Sequence, residues 1–142
     1  MGLTTVTDRS ALFSWPVRVY YEDTDSGGVV YYANYLKFME RARTEWLRVL
    51  GVEQSVLLNE QHVIFVVRSV AIEYLKSAVF DDLLQVSVQV QHVGRSQIVF
   101  RQRVERNELL ASAEVKIVCV NGATFKPVKI PDNIRQKLGN EE

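Results

Sequence analysis

The sequence predicts an α+β fold in which one antiparallel five-stranded sheet curls around a single long helix. One strand-like segment precedes an amphipathic stretch at residues 35–50, and four more strand-like segments follow it without a second long helical pattern. Connections of hairpin size at residues 93–95 and 106–108 join the last three strands. These three strands are therefore expected to form an antiparallel meander, which is typical of an α+β domain and not of parallel βαβ units.

The first strand is predicted at Pro16–Glu22. Apolar Val17, Val19 and Tyr21 alternate there with Arg18 and other polar or half-polar neighbours, which is the period of a half-buried strand. A proline can open such a strand because the first position needs no ladder donor.

The long helix is predicted from Tyr35 to Leu50. Two adjacent lines of mostly apolar residues run along it at three- and four-residue spacing, and polar residues fill the remaining face. The lines consist of Tyr35, Leu36, Phe38, Met39, Ala42, Arg43, Trp46, Leu47, Val49 and Leu50. Gly51 follows as a residue suited to the left-handed conformation that ends many helices.

The four later strands are expected at Val63–Leu75, Leu84–Val90, Gln97–Glu105 and Ala113–Cys119, and Asp132 is predicted to cap a short terminal helix that ends at Leu138. The first of these strands begins with the continuous apolar run VIFVV, which predicts burial on both faces. A curled sheet also leaves an exposed edge, so we expect a homodimer or a dimer of dimers.

Composition excludes several classes of protein. The chain has 142 residues, with 17 Lys and Arg balanced by 17 Asp and Glu, so a general basic field for nucleic acid is absent from the sequence. A single cysteine excludes an intramolecular disulfide framework and suits a reducing compartment. Because apolar runs are too short for a membrane span and no signal peptide is recognised, we expect a cytoplasmic protein, with a flexible leader at 1–13 and one domain at 14–142.

The candidate chemistry lies in Asp23-Thr24-Asp25-Ser26-Gly27-Gly28, between the first strand and the long helix. Helix N-termini carry unpaired amides, so a carboxylate beside one can attack a carbonyl, or activate water toward it, while the amides stabilise the oxyanion. A thiol leaving group needs no strong general acid, which favours a thioester. A solvated turn remains the alternative. The loop does not fit an EF-hand, because the sequence lacks the final glutamate of that motif. It does not fit an aspartyl-phosphate phosphatase either, because no alternating α/β pattern follows it.

This region resembles the hotdog-fold thioesterases of the 4-hydroxybenzoyl-CoA thioesterase family, and within them the Tol-Pal-associated acyl-CoA thioesterases. The likeness rests on WPVRVYYEDTDSGGVVYYANY at residues 15–35 and ERARTE at 40–45, and it extends through FVVR, EY and AEV to Pro131. It implies a hotdog fold, an acyl-CoA substrate hydrolysed to the free acid and coenzyme A, and no metal or redox cofactor. An acyl carrier protein is a second candidate partner.

The resemblance also assigns roles within the loop. It implies that Asp25 is the catalytic carboxylate, as nucleophile or general base, and that the backbone N–H of Tyr32 polarises the thioester carbonyl. Tol-Pal-associated members usually carry histidine where this chain has Tyr32, whereas tyrosine matches the hydroxybenzoyl branch. Gly27, Gly28 and Val29 are predicted to contact substrate, and Asp23 is assigned to the loop itself.

The remaining candidates favour structural interpretations. His62 and His92 stand alone at element ends without neighbours at metal-ligand spacing, and Cys119 falls on the inward row of its strand. Three cations, Arg95, Lys126 and Lys129, could meet coenzyme A phosphates, but solvated surface charge is the preferred interpretation. Two rival functions remain open: a hotdog dehydratase, and a non-catalytic module that binds acyl-CoA or acyl carrier protein.

Overall fold

The computed structural model describes residues 12–139. Its five strands form one antiparallel sheet in the order β1-β3-β4-β5-β2. The strands are β1 Phe13–Arg18, β2 Val63–Tyr74, β3 Leu83–Val93, β4 Gln97–Glu105 and β5 Leu109–Asn121. The helices are α1 Asn34–Val49, α2 Gln54–Gln61 and α3 Asp132–Lys137. Within the described residues, no helix is long and apolar enough to cross a bilayer.

Helix α1 lies against the sheet and begins and ends within one residue of its predicted bounds. Its C-terminus is closed by Gly51, whose φ of 86° is the left-handed conformation predicted for it. The N–H of Gly51 donates to the carbonyl of Arg48 at 2.9 Å, and that of Val52 donates to Leu47 at 2.8 Å, the paired bonds of a Schellman ending. The buried face consists of Asn34, Tyr35, Phe38, Met39, Ala42 and Leu47. Leu36 and Val49 remain exposed, so the apolar face is narrower than the sequence pattern predicts.

The predicted meander is confirmed: β3, β4 and β5 pair in order. Their inward rows alternate as expected and supply most of the core beneath α1. The fully buried members include Leu84, Val86, Val88, Phe100, Ala113, Val115 and Cys119. Helix α1 packs against this core, and the packing sets the position of the helix N-terminus relative to the sheet.

The prediction for the first strand was wrong at both ends. β1 starts at Phe13, one residue before the predicted domain start, and ends at Arg18, while residues 1–11 of the predicted leader lie outside the described residues. Val17 and Val19 are buried as predicted, but Tyr21 is 74% exposed. The pattern breaks because Tyr21–Asp23 form a 3-10 turn, in which the Asp23 carboxylate accepts a 2.8 Å hydrogen bond from the N–H of Tyr20.

β2 forms one edge of the sheet and pairs only with β5 among the described strands. The prediction that its opening run is buried on both faces does not hold within one chain, since Val66 is 37% and Val67 49% exposed. Val70 and Tyr74, farther along the strand, are also exposed. Within the described residues, this edge therefore presents an apolar surface that the chain itself does not cover.

Two short helices complete the fold. α2, which has no counterpart in the predictions, precedes β2 and buries Leu57. α3 falls where a terminal helix was predicted, but Asp132 is its first residue and Pro131 occupies the capping position. Asp132 instead approaches Lys129, with 3.4 Å between the carboxylate and ammonium groups.

Candidate active site

The predicted chemical loop is a tight hairpin between β1 and α1. Thr24 and Val30 form an antiparallel bridge, and the N–H of Asp25 donates to the carbonyl of Val29 at 2.9 Å. The three residues between them turn the chain, with the N–H of Gly28 donating to the carbonyl of Asp25 at 3.0 Å. Gly28 has φ of 84°, the left-handed conformation that completes a three-residue hairpin loop of this kind.

The carboxylate of Asp25 is held in place but remains accessible. Its Oδ1 accepts a 2.8 Å hydrogen bond from the N–H of Gly27, while Oδ2 has no hydrogen-bond donor among residues 12–139. A Cβ on Gly27 would lie 3.3 Å from Oδ1, so glycine gives this close turn the space that it needs. Asp25 is exposed to solvent, and one of its two oxygens is therefore free to act on a substrate or water.

The other aspartate, Asp23, ties the loop to α1. Its backbone carbonyl accepts hydrogen bonds from the N–H of Tyr31 at 3.0 Å and from the side-chain amide of Asn34 at 2.8 Å. Asn34 is 8% exposed, and sequence reasoning missed it; the signal was a polar residue at the first position of an apolar helix. These bonds place the residues that follow Asp23 beside the residues that precede α1.

The backbone N–H of Tyr32 lies at this junction and makes no hydrogen bond within the described part of the chain. The N–H of Tyr31 bonds to Asp23 and that of Asn34 to the carbonyl of Tyr31 at 2.8 Å, whereas the N–H of Ala33, like that of Tyr32, has no partner among residues 12–139. Unpaired amides at a helix N-terminus carry partial positive charge. The Tyr32 side chain is 59% exposed and packs edge-on to Tyr74, with 5.5 Å between ring centroids.

A second segment, residues 78–82 between β2 and β3, supports the loop from behind. The N–H of Val30 donates to the carbonyl of Ala78 at 2.8 Å, and Val29 bridges Val79. The N–H of Ala78 donates in turn to the hydroxyl of Tyr35 at 2.9 Å. Burial raises the pKa of Tyr35, so its hydroxyl stays protonated and structural. Of the residues predicted to contact substrate, Gly27 and Gly28 lie at the exposed tip of the hairpin loop. Val29 is half-buried against residues 78–82.

Comparisons with known proteins identify the family. Residues 19–138 match the family model described as the Thioesterase-like superfamily. The chain belongs to this superfamily. The acyl-CoA thioesterase YbgC of Haemophilus influenzae is 53% identical over 124 residues, which cover 87% of this chain and 91% of that protein.

Solved structures of the superfamily show the same fold. The crystal structure of a probable thioesterase from Bartonella henselae has a TM-score of 0.82 at 33% identity, over 85% of this chain and all of that one. A 4-hydroxybenzoyl-CoA thioesterase variant in complex with 4-hydroxybenzoyl-CoA has a TM-score of 0.84 over 89% of this chain and 98% of that chain. At 18% identity the second likeness concerns the fold alone. The predicted hotdog fold is confirmed.

Within this thioesterase-like fold, the Asp23–Tyr31 hydrogen bond closes a loop that carries the free carboxylate oxygen of Asp25. The unbonded N–H of Tyr32 follows directly after that bond. A carboxylate can serve as nucleophile or general base, and an amide aimed at developing negative charge can stabilise an oxyanion. No cluster of three or more potential metal ligands occurs among residues 12–139. A carboxylate and an unpaired amide near a helix N-terminus are the groups with which a site can act on a carbonyl carbon and stabilise the charge on its oxygen.

The remaining candidates lie away from this loop or are inert. His62 ends α2 with φ of 61° and accepts the N–H of Gly122 on its carbonyl, while His92 is exposed on β3. Cys119 is fully buried, and desolvation raises its pKa to about 11, so the prediction of a buried thiol is confirmed.

The three cations considered for coenzyme A lie at the opposite end of the sheet from Asp25. Arg95 follows β3, whose 11 residues extend for about 35 Å at the usual rise of a strand. Lys126 follows β5, which ends beside the start of β4, and the N–H of Ile130, next to Lys129, donates to the carbonyl of Arg95 at 2.9 Å. None of these three side chains is adjacent to the loop of its own chain.

Proposed function

We propose that this protein is an acyl-CoA thioesterase, which hydrolyses the thioester of an acyl-CoA to the free acid and coenzyme A. The observation that carries the proposal is that one short segment presents a carboxylate oxygen of Asp25 and, just before α1, the N–H of Tyr32, neither of which has a hydrogen-bond partner among residues 12–139. The name of the YbgC relative, at 53% identity over most of both chains, supports the substrate class.

In the general-base route, Asp25 takes a proton from water as the water oxygen bonds to the thioester carbon. The carbonyl π electrons move onto oxygen, where the Tyr32 N–H stabilises the negative charge. The intermediate then collapses, the carbon–sulfur bond breaks, and the thiol leaves as a thiolate, which its pKa near ~8.5 permits at neutral pH. The proton held by Asp25 returns to solvent or thiolate.

In the nucleophilic route, an Asp25 oxygen attacks the thioester carbon directly and displaces the thiolate. The product is a mixed anhydride, which water then cleaves to the free acid and the restored carboxylate. Both routes use the same free oxygen and the same amide. In either route the exposed glycines 27 and 28, which have no side chain, allow the substrate to approach the loop backbone closely.

The oligomer and partners belong to the proposal as well. The exposed apolar residues of β2 support a homodimer or a dimer of dimers in which a second chain covers this edge. Acyl carrier protein as an alternative acyl donor, a cytoplasmic location and a link to the Tol-Pal system stay predictions from the sequence.

The test is thiol release, followed with a disulfide reagent, by purified protein on acyl-CoAs of increasing length and on an aromatic acyl-CoA. We expect turnover on at least one member, with equal amounts of free acid and coenzyme A. Tight binding of acyl-CoA without thiol release would indicate a binding module and overturn the proposal. Conversion of a 3-hydroxyacyl-CoA to the enoyl product without thiol release would indicate a dehydratase and overturn it equally.

A further inference from the structure

Helix α1 begins without the two side-chain devices that usually fix the start of a helix. Ala33 holds the N-cap position, and no side chain accepts a capping hydrogen bond there. In a hydrophobic staple, the residue before the cap packs against the fourth residue of the helix. Those positions are Tyr32 and Lys37, and Lys37 is an exposed cation where a staple needs an apolar partner. Neighbouring residues in the sequence therefore do not fix the direction in which the Tyr32 side chain leaves the helix start.

A ring from the edge strand takes the place of the missing staple partner. Tyr74, the last residue of β2, lies edge-on to the Tyr32 ring, with 5.5 Å between centroids and 74° between planes. The same Tyr74 ring lies 5.6 Å from that of Tyr35 in the first turn of α1. The ring of Tyr31 adds a contact to Tyr32 at 5.0 Å. The Tyr32 side chain is thus held between the preceding residue and the end of β2.

The end of β2 that carries Tyr74 is itself fixed to the sheet. Tyr74 pairs with Ala111 of β5. The N–H groups of Leu75 and Lys76 both donate to the carbonyl of Leu110, at 2.8 and 3.1 Å. A ring that packs against Tyr74 is therefore held relative to the sheet and not only relative to its own helix.

The rings make this contact, and the hydroxyl groups do not. The hydroxyls of Tyr32 and Tyr74 form no hydrogen bond with residues 12–139. Burial, followed by the proximity of Tyr32 and Tyr35, raises the pKa of Tyr74, so its hydroxyl is uncharged at neutral pH. Edge-to-face pairs are favourable because the positive edge of one ring meets the negative face of the other. Phenylalanine at position 74 would therefore preserve the contact.

Ring packing suits a helix whose first amides have to remain free. Capping groups fix a helix start by accepting hydrogen bonds from its amides, which are the same donors that an anionic oxygen would use. An aromatic contact uses none of these donors. The N–H groups of Tyr32 and Ala33 accordingly have no partner among residues 12–139.

We propose that Tyr74 is a positioning residue, whose ring fixes the entry of the chain into α1 and thereby aims the N–H of Tyr32 at the thioester oxygen. The inference rests on the proposed function, in which this amide stabilises the oxyanion. It adds a residue of the edge strand to which neither the loop nor the family resemblance assigned a role. Because the full negative charge on oxygen develops only in the transition state, loss of the ring should lower kcat and leave KM unchanged.

The test compares two substitutions at position 74, assayed by thiol release on the acyl-CoA that wild type hydrolyses fastest. Tyr74→Ala is expected to lower kcat about tenfold, less than the cost of removing an oxyanion donor outright, because the amide is present but poorly aimed. Tyr74→Phe keeps the ring and should retain kcat within about twofold of wild type. Phe125→Ala is the control and should change neither kcat nor KM, because this exposed ring follows the far end of β5 from Ala111.

A double-mutant cycle identifies the contact itself. Tyr32→Ala removes the other ring of the pair, and because that side chain is 59% exposed, this variant tests the contact even where Tyr74→Ala fails to fold. We expect kcat of Tyr32→Ala to fall about tenfold too, and kcat of the double variant to fall about tenfold, since both changes break one contact. A loss of about a hundredfold in the double variant, the product of two independent effects, would overturn the inference.

Backbone relaxation of the Tyr32 amide, measured by NMR, separates this inference from the proposed function. Its order parameter should fall in Tyr74→Ala and keep the wild-type value in Tyr74→Phe, whatever the rate of hydrolysis. An unchanged order parameter in Tyr74→Ala, with normal wild-type hydrolysis, would overturn the positioning role and leave the thioesterase proposal standing.

Three other outcomes would overturn the positioning role as well. A raised KM with unchanged kcat in Tyr74→Ala would mean that the ring contacts the substrate. Equal losses of kcat in Tyr74→Phe and Tyr74→Ala would assign the effect to the hydroxyl. A changed sedimentation coefficient in Tyr74→Ala would mean that the ring acts through a second copy of the chain.

Discussion

The side-chain amide of Asn34, the first residue of α1, donates a 2.8 Å hydrogen bond to the backbone carbonyl of Asp23. The bond is buried and spans 11 positions of sequence. It joins the loop that carries Asp25 to the helix start that carries the Tyr32 amide. The positions of the two candidate groups are thus set by hydrogen bonds to the backbone around them.

The first prediction concerns Asp23. Asp23→Asn keeps an oxygen that can accept the Tyr20 N–H, so we expect turnover within about tenfold of wild type and little change in melting temperature. Asp23→Ala removes that acceptor, and the loss of a hydrogen bond to a charged group should lower the free energy of unfolding by about 1.5–3 kcal/mol. Thermal unfolding and thiol release check both variants. Inactivation of Asp23→Asn with an intact fold would instead place Asp23 in the chemistry.

The second prediction concerns the Tyr32 side chain. If the backbone N–H is the functional group, Tyr32→Phe should leave kcat within about tenfold of wild type, and Tyr32→His should be tolerated too. Removal of a true oxyanion donor costs on the order of a hundred- to a thousandfold. Steady-state kinetics on the variants, with oligomeric state checked, make the comparison. A hundredfold loss in the phenylalanine variant would show that the tyrosine hydroxyl takes part.

The third prediction concerns the edge strand β2. We expect wild type to sediment as a dimer or tetramer at micromolar concentration. Val67→Asp puts a charge into the proposed interface, where an unpaired carboxylate is costly, and should shift the protein toward monomer. Leu83→Asp, at a comparably exposed position near the opposite edge of the sheet, is the control and should leave association unchanged. A fully active wild-type monomer would contradict the interface.

The fourth prediction concerns pH. The pKa of Cys119 is raised to about 11 in the folded protein, whereas an unfolded cysteine ionises near ~8.5. Between these values the unfolded chain releases a proton that the folded chain retains, so stability falls as pH rises from about 9 toward 11. Denaturant unfolding should show this slope in wild type and a shallower one in Cys119→Ala. The native thiol should also resist alkylation at neutral pH, and rapid native labelling would contradict its burial.

The sequence predicted best where one local rule acted alone. The 3.6-residue repeat of apolar residues, together with Gly51, predicted the bounds of α1 to within one residue. The alternation of apolar and polar residues predicted which residues of β3 and β5 face the core. The prediction of the first strand failed because a local side-chain bond overrode alternation: the Asp23 carboxylate accepts the N–H of Tyr20, three residues earlier, and the chain turns at Tyr21. Nothing in the local pattern of residues 16–22 distinguishes that turn from a continuing strand.

For the candidate site, the sequence indicated the loop but not the contacts that hold it. Residue types and spacing singled out the loop, and the family resemblance assigned roles to Asp25 and Tyr32, which stay predictions. The contacts that hold them come from Asn34 and from residues 78–82, which are distant in sequence and have no motif of their own. The exposure of β2 could not be predicted either, because an apolar run looks the same whether its own chain or a second chain covers it.

The most direct test of the proposed mechanism is thiol release from an acyl-CoA by wild type and by Asp25→Asn. The variant keeps the size of the side chain and an oxygen for the Gly27 N–H, but it removes the ionised carboxylate. We predict that kcat falls by about a hundredfold or more while the melting temperature and the oligomeric state are unchanged. Turnover by Asp25→Asn close to that of wild type would contradict the assignment of this loop as the active site.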